Sequence, residues 1–262
     1  MSLHTTFSGS IPEYYDRCLG PVQFDPFGRE LAALVPRDTG GDVLEIACGT
    51  GLVTRRLRER LDPSLRLIAS DLSKPMLDYA RASLDGVAGI EWREADAMKL
   101  PFDDAGFSAV VCALGFMFVP DKPTAFREAR RVLKHGGRIY FSVWDRMEEN
   151  TCAMICAEAI ERLFPDDAEI RFRLPWSMHD VPMLRKLLQD ARFESAKIQK
   201  TRLPIVGDPR TIATGSVRGT PRGALLEQRG LSMDDAIDRV TAALEKAGPV
   251  HGQVLLVEAR AV

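Results

Sequence analysis

The stretch Val43-Leu-Glu-Ile-Ala-Cys-Gly-Thr-Gly-Leu-Val-Thr54 runs from an apolar strand through a glycine-containing turn into the start of a helix. Gly49 and Gly51 let the backbone approach a ligand closely, and the helix that follows opens with N–H groups that have no partner within it. By itself this is a nucleotide-binding loop. A strict dinucleotide fingerprint needs a third glycine at position 54, where Thr54 stands, and a phosphate-cradling P-loop needs a Gly-Lys-Ser/Thr that is absent. Outward from the loop, apolar runs at 42–47, 65–70, 90–95, 107–114 and 138–144 alternate with helical periodicity at 52–61, 74–84 and 122–133. Such alternation predicts parallel strands joined by right-handed helical crossovers, an α/β fold with both faces of the sheet covered. Gly136-Gly137 is expected to cap the helix at 122–133, with His135 complementing its dipole.

On the N-terminal side, residues 11–35 read as two short helices separated by Gly20-Pro21. On the C-terminal side the reading is a helix at 151–163, a Pro/Trp loop, a helix at 181–191 and a strand at 196–205. A loop-like or loosely helical stretch at 207–230, a helix from Ser232 to Ala247 and a closing strand at 253–261 follow. With 262 residues, 45% hydrophobic and 27% charged, the composition is globular and excludes disorder and coiled coil. No apolar run reaches the length of a membrane span, and the first residues lack the basic patch and apolar core of a signal peptide, so a cytoplasmic location is expected. A net charge of −2 argues against a dedicated nucleic-acid binder. Five cysteines, an odd count without a CxxC pair, suggest neither a disulfide framework nor a metal site; Cys152 and Cys156, four apart on a helix, read as small buried side chains.

Asp71 ends the second strand twenty residues after Gly51, where a carboxylate can accept hydrogen bonds from ribose hydroxyls. Asp96 ends the third, where it can accept from an exocyclic amine on a purine while the backbone of Ala97 faces the ring. Two acids at successive strand ends fit a nucleoside that carries no phosphate.

Four blocks, Leu44-Glu-Ile-Ala-Cys-Gly-Thr-Gly51, Ser70-Asp-Leu-Ser-Lys-Pro-Met-Leu77, Glu94-Ala-Asp-Ala-Met-Lys-Leu-Pro-Phe102 and Arg131-Val-Leu-Lys-His-Gly-Gly-Arg138, resemble in order and spacing the class I S-adenosylmethionine-dependent methyltransferases. The similarity is to the small-molecule branch that includes the ubiquinone/menaquinone-biosynthesis type, and it covers roughly residues 10 to 145. A fifth block, Cys112-Ala-Leu-Gly-Phe-Met-Phe-Val-Pro-Asp121, looks like that branch's fourth-strand block, with Ala113 where its members often place glutamine. Ala47 likewise stands where glycine is usual. The resemblance implies S-adenosyl-L-methionine as cofactor and S-adenosyl-L-homocysteine as product. It implies that Glu45 orients the loop, that Ala47, Cys48, Gly49 and Gly51 approach the methionine portion, and that Asp71 holds the ribose. Leu72 and Met76 would flank the adenine, Asp96 and Ala97 would read its edge, the Leu114 backbone would face the amino-acid end, and Tyr15 counts among the cofactor-binding residues. It also implies a seven-stranded, mostly parallel Rossmann-like sheet whose last strand inserts antiparallel between the fifth and sixth. The chain then divides into a helical cap (1–38), a cofactor-binding core (39–145) and remaining core elements (146–262) with helical lid insertions at about 146–180 and 205–250.

The expected activity is methyl transfer to O, N or C of a small organic acceptor by a monomer or homodimer, with an NAD-dependent oxidoreductase or a cofactor-binding module without turnover as alternatives. Alignment and water exclusion can carry this chemistry, so a strong base is optional. Tyr14, Tyr15, Phe24, Phe116, Phe118 and Trp144 are candidates for the walls, each weighed against plain core packing. Of the four histidines, His179 in Trp176-Ser-Met-His-Asp180 is the candidate base or substrate ligand, against an ordinary helix-entry residue; His4 and His251 get no catalytic role. Between Lys197 and Arg229 seven basic residues face two acidic ones. That stretch either attracts an acidic group on the acceptor or forms a solvated surface balanced by Asp234, Asp235 and Asp238.

Overall fold

In the computed structural model, which describes residues 9–167 and 169–262, seven strands form one sheet in the order β3-β2-β1-β4-β5-β7-β6. They are β1 (Val43–Ile46), β2 (Leu67–Asp71), β3 (Ile90–Glu94), β4 (Phe107–Ala113), β5 (Leu133–Trp144), β6 (Phe193–Ile205) and β7 (Val250–Ala261). The pairs among β1 to β5 are parallel, and β7 runs antiparallel to both β5 and β6. The expected insertion of the last strand is therefore observed. β1, β4 and the inner part of β5 are buried almost throughout, as strands covered on both faces must be.

The helices are α1 (Ile11–Tyr14), α2 (Asp25–Leu34), α3 (Leu52–Arg60), α4 (Lys74–Ser83), α5 (Lys122–Val132), α6 (Thr151–Glu161), α7 (Val181–Asp190), α8 (Pro209–Arg218), α9 (Arg222–Gln228) and α10 (Met233–Ala247). Those before β5 follow the expected crossovers: the chain steps outward from β1 through β2 to β3, then returns to place β4 on the other side of β1. The strand order reverses between β1 and β4, the place where open α/β sheets bind ligands at their carboxyl edge. Among the described residues no helix is long and apolar enough to cross a membrane.

Two expectations need correction, and one left open between loop and helix is decided. Residues 11–34 do not break at Gly20-Pro21; a π-helical segment, Tyr15–Phe24, joins α1 to α2, and the Asp25 N–H donates to the Gly20 carbonyl five residues back. The widened turn absorbs a proline that has no N–H to give. Gly136-Gly137 does not cap α5, which ends at Val132; both glycines lie in β5, at the shift in register between the Phe107–Leu133 and Ala109–Arg138 pairs, and His135 is an exposed strand residue there. Finally, residues 209–228 form two helices. Asp208 caps α8 by accepting from the Thr211 N–H at 2.8 Å, and Gly215 is what lets α8 lie against the π-helical segment, because a Cβ there would stand 2.6 Å from Leu19 Cγ. Low helix propensity was overridden by packing.

Candidate active site

A cavity of about 680 Å³ opens at the carboxyl ends of β1 to β5, within the roughly 300–1,000 Å³ range of small-molecule sites. Its floor is the strand ends: Ile46 and Ala47, Asp71, Ala95 and Asp96, Ala113 and Leu114, and Trp144. The π-helical segment supplies Tyr15, Leu19, Gln23 and Phe24, which its winding sets on one side, and further lining comes from the turns after the strands, the start of α4, α6, residues 172–176 and residues 212–222. Asp71, Asp96 and Arg222 are the only charged residues lining it among those described.

The loop after β1 is held to β2 by its own backbone. Cys48 N–H donates to the Ser70 carbonyl (3.0 Å), and Gly49 N–H donates to Asp71 Oδ2 (2.8 Å), while Asp71 Oδ1 accepts from Ser73 N–H (2.7 Å). Burial pushes the Asp71 pKa up, with those N–H groups opposing. Gly49 and Gly51 both have positive φ (56° and 85°), and Gly49 has open space where a Cβ would be. Asp96 accepts from Met98 N–H at 2.8 Å, folding the chain after β3 into a tight turn. That segment is anchored from below: Arg131 donates to the carbonyls of Leu100 (2.9 Å) and Phe102 (2.7 Å), and Glu128 accepts from Leu100 N–H (2.8 Å). Two separated sequence blocks thus form one support.

Of the expected binding residues, Tyr15, Ala47, Gly49, Asp71, Leu72, Met76, Asp96, Ala97 and Leu114 line the cavity. Glu45, Cys48 and Gly51 do not. Cys48 packs with Ala69 and Leu77 behind the loop, and Gly51 is the N-terminal cap of α3. Glu45 is only 1% exposed, its two oxygens have no hydrogen-bond partner among the described residues, and burial pushes its pKa up to about 8. The Leu114 N–H is turned to β5, where it donates to the Ser142 carbonyl at 3.0 Å.

His179 is not brought to the cavity: it is exposed, with Nδ1 2.7 Å from the Trp176 carbonyl oxygen. His4 lies outside the described residues. Among the aromatic candidates, Tyr15, Phe24, Phe118 and Trp144 form walls, Tyr15 and Phe24 stacked at 4.2 Å between ring centroids. Phe116 is core, packed on Phe126 and Phe141, and the Tyr14 ring lies under Arg218. Gln23, Cys152, Cys156, Trp176 and Arg222 also line the cavity and were not singled out for it by pattern; only Arg222 carried a signal, as part of the basic stretch.

Ala47 and Leu114 hold φ of 55° and 53°, a conformation unfavourable for residues with a Cβ, at the two strand ends that flank the reversal point. Gly115 fits between them because a Cβ there would come within 2.5 Å of Ala47 Cβ and 2.8 Å of Cys112 Sγ. Gly115→Ala is expected to lower stability by about 2 kcal/mol through overpacking and to shift the loop. A denaturant titration checks this, and a change below a few tenths of a kcal/mol would contradict the close approach.

Residues 43–137 match the family model described as a methyltransferase domain. A demethylmenaquinone methyltransferase of Lactococcus lactis is 41% identical over 135 residues, 50% of this chain and 54% of that protein. A malonyl-[acyl-carrier protein] O-methyltransferase of Hahella chejuensis is 38% identical over 115 residues, 44% of this chain and 40% of that one. The chain spans about half the length of the curated relatives it matches. A SAM-dependent methyltransferase of Thermotoga maritima shares the fold with a TM-score of 0.56 at 18% identity, over 95% of each chain. The resemblance to class I methyltransferases of the ubiquinone/menaquinone type is borne out.

Proposed function

We propose that this chain, whose residues 43–137 carry the methyltransferase domain, is an S-adenosylmethionine-dependent methyltransferase acting on a small organic acceptor. The observation that carries the reading is the pairing of Asp71 and Asp96 at adjacent strand ends beside the open backbone of Gly49, in a cavity whose lining is otherwise mostly apolar. That donor set fits a nucleoside without phosphate: acceptors where sugar hydroxyls and a base amine would lie, and, among the described residues lining the cavity, no basic side chain other than Arg222. When bound, S-adenosylmethionine supplies a methyl group already activated as a sulfonium.

The chain's own part is binding, orientation and exclusion of water. Asp71 would hold the ribose and Asp96 with Ala97 the base edge, with Leu72 and Met76 on either side of the ring. Leu72, 52% exposed, gains burial when a ring lies on it. Tyr15, Phe24, Phe118 and Trp144 would wall the reacting centre, and aromatic faces favour a cation there. No histidine lines the cavity among the described residues, so alignment rather than strong base catalysis is the contribution assigned to the protein. Residues 146–180 and 205–250 act as the lid over the acceptor side.

Calorimetric titration of the folded chain with S-adenosylhomocysteine tests this. One site per chain with micromolar affinity is expected, and NADH should give no heat. Absence of heat with both the product and S-adenosylmethionine would remove the reading.

A further inference from the structure

The basic stretch resolves into six paired residues and one that is not. Lys200 lies 3.0 Å from Asp145, Arg210 2.7 Å from Asp238, Arg218 2.8 Å from Asp234 and Arg229 2.7 Å from Asp167. Arg202 pairs with Glu149, and Lys197 is 3.9 Å from Glu258. Local acids therefore neutralise most of the excess charge that the sequence shows, and those pairs are largely at the surface, where they contribute little.

Arg222 is the exception. It opens α9, is 7% exposed, lines the cavity, and makes no hydrogen bond or ion pair among the described residues; its Nε is buried without an acceptor. Its neighbours offset that charge only in part. The Cys156 thiol is a weak acceptor, and the Glu161 carboxylate is already held by both terminal nitrogens of Arg173. A second buried donor without an acceptor, Trp176 Nε1, lines the same cavity. A guanidinium stays protonated even when buried, and a buried charge without a partner is costly. Two buried donors without acceptors, on residues that line one mostly apolar cavity, describe a place for an anion.

We infer that Arg222, in the cavity that Trp176 also lines, is the specificity-determining anchor for a carboxylate carried by the methyl acceptor; this rests on the methyltransferase reading of the cavity. The guanidinium fork matches a planar carboxylate in two parallel hydrogen bonds. A carboxylate is favoured over a phosphate because a single cation faces the group, and a phosphate dianion would leave charge unmatched in an apolar setting. In the same cavity, Phe172, Pro175 and Ile212 offer apolar contacts to the body of the acceptor.

The test uses the full chain in the presence and absence of S-adenosylhomocysteine, titrated calorimetrically with benzoate, 1-naphthoate, phenyl phosphate and the neutral amides benzamide and 1-naphthamide. The carboxylates are expected to bind at least 10-fold more tightly than their amides and more tightly than phenyl phosphate. Arg222→Met should abolish that preference and Arg222→Lys should keep part of it, with S-adenosylhomocysteine affinity unchanged within about twofold. Arg222→Met should also melt at a higher temperature than the wild-type chain without ligand, since an unpaired buried charge is gone, and should lose the thermal stabilisation that benzoate confers. The carboxylate-over-amide comparison on the unaltered chain stands even if a variant fails to fold. Equal binding of carboxylate and amide, no binding of either, tighter binding of phenyl phosphate, or a preference that survives Arg222→Met overturns the inference. Failure of S-adenosylhomocysteine to bind, with the carboxylate preference intact, would instead count against the methyltransferase reading and leave an anion site.

Discussion

Asp71→Asn is expected to weaken S-adenosylmethionine binding by about 100-fold, roughly 3 kcal/mol. The carboxylate has two tasks. It accepts from Gly49 N–H and Ser73 N–H, one on each oxygen, and so holds the glycine loop against the turn that starts α4. Its remaining lone pairs are the acceptors proposed for the ribose hydroxyls. An amide of the same shape replaces one oxygen with an NH₂ that must face an N–H donor, so one loop contact is lost, and a neutral acceptor replaces a charged one toward the sugar. Binding calorimetry reads the affinity, and circular dichroism confirms that the variant remains folded. Unchanged affinity in the folded variant would mean that the nucleoside lies elsewhere.

The second large effect concerns stability rather than binding. Glu45 is buried beneath the loop, burial raises its pKa from 4.5 to about 8, and the Asp71 charge adds to the shift. A carboxyl whose folded pKa lies above its unfolded value binds more protons in the native state, so stability falls as pH rises through the interval from about 4.5 to 8 and is constant beyond it. The loss by pH 8 is on the order of 3 to 5 kcal/mol, an upper bound for a group that can relax or recruit water. Glu45→Gln removes the ionisation, and its denaturation midpoint is expected to stay level between pH 5 and pH 8.5 while that of the unaltered chain declines. At pH 8.5 the glutamine variant should be the more stable of the two. Parallel pH profiles for both chains would show that Glu45 is ionised in the native state at neutral pH.

Much of the site was legible in sequence because local chemistry there is short-range. Gly49 and Gly51 occupy backbone conformations that few other residues tolerate, and Asp71 and Asp96 sit where strands of predictable length end. The cavity's second half was not legible. Trp176 and Arg222 are 46 positions apart and meet at one cavity only after α6, α8 and α10 pack together over the edge of the sheet. Cys152 and Cys156 are indeed buried small side chains, and they also line the cavity, a dual placement that four-residue spacing could not distinguish. His179 stood out by chemistry yet points to the Trp176 carbonyl, because its place at the entry to α7 leaves it outside the cavity.

Alternating apolar period and turn residues determined, from sequence alone, an α/β sheet with a ligand loop after β1 and two acids at the next strand ends; these depend on backbone geometry within a few residues. Tertiary structure alone decided which charges of the basic stretch are cancelled and which is not. Pairing depends on side chains from distant elements meeting within about 4 Å, where Coulomb energy is steep and desolvation sets its sign. The chain's order says nothing of that distance, and so Arg222, indistinguishable in composition from Arg210 or Arg218, emerges as a buried cation unpaired among the described residues only in the folded molecule.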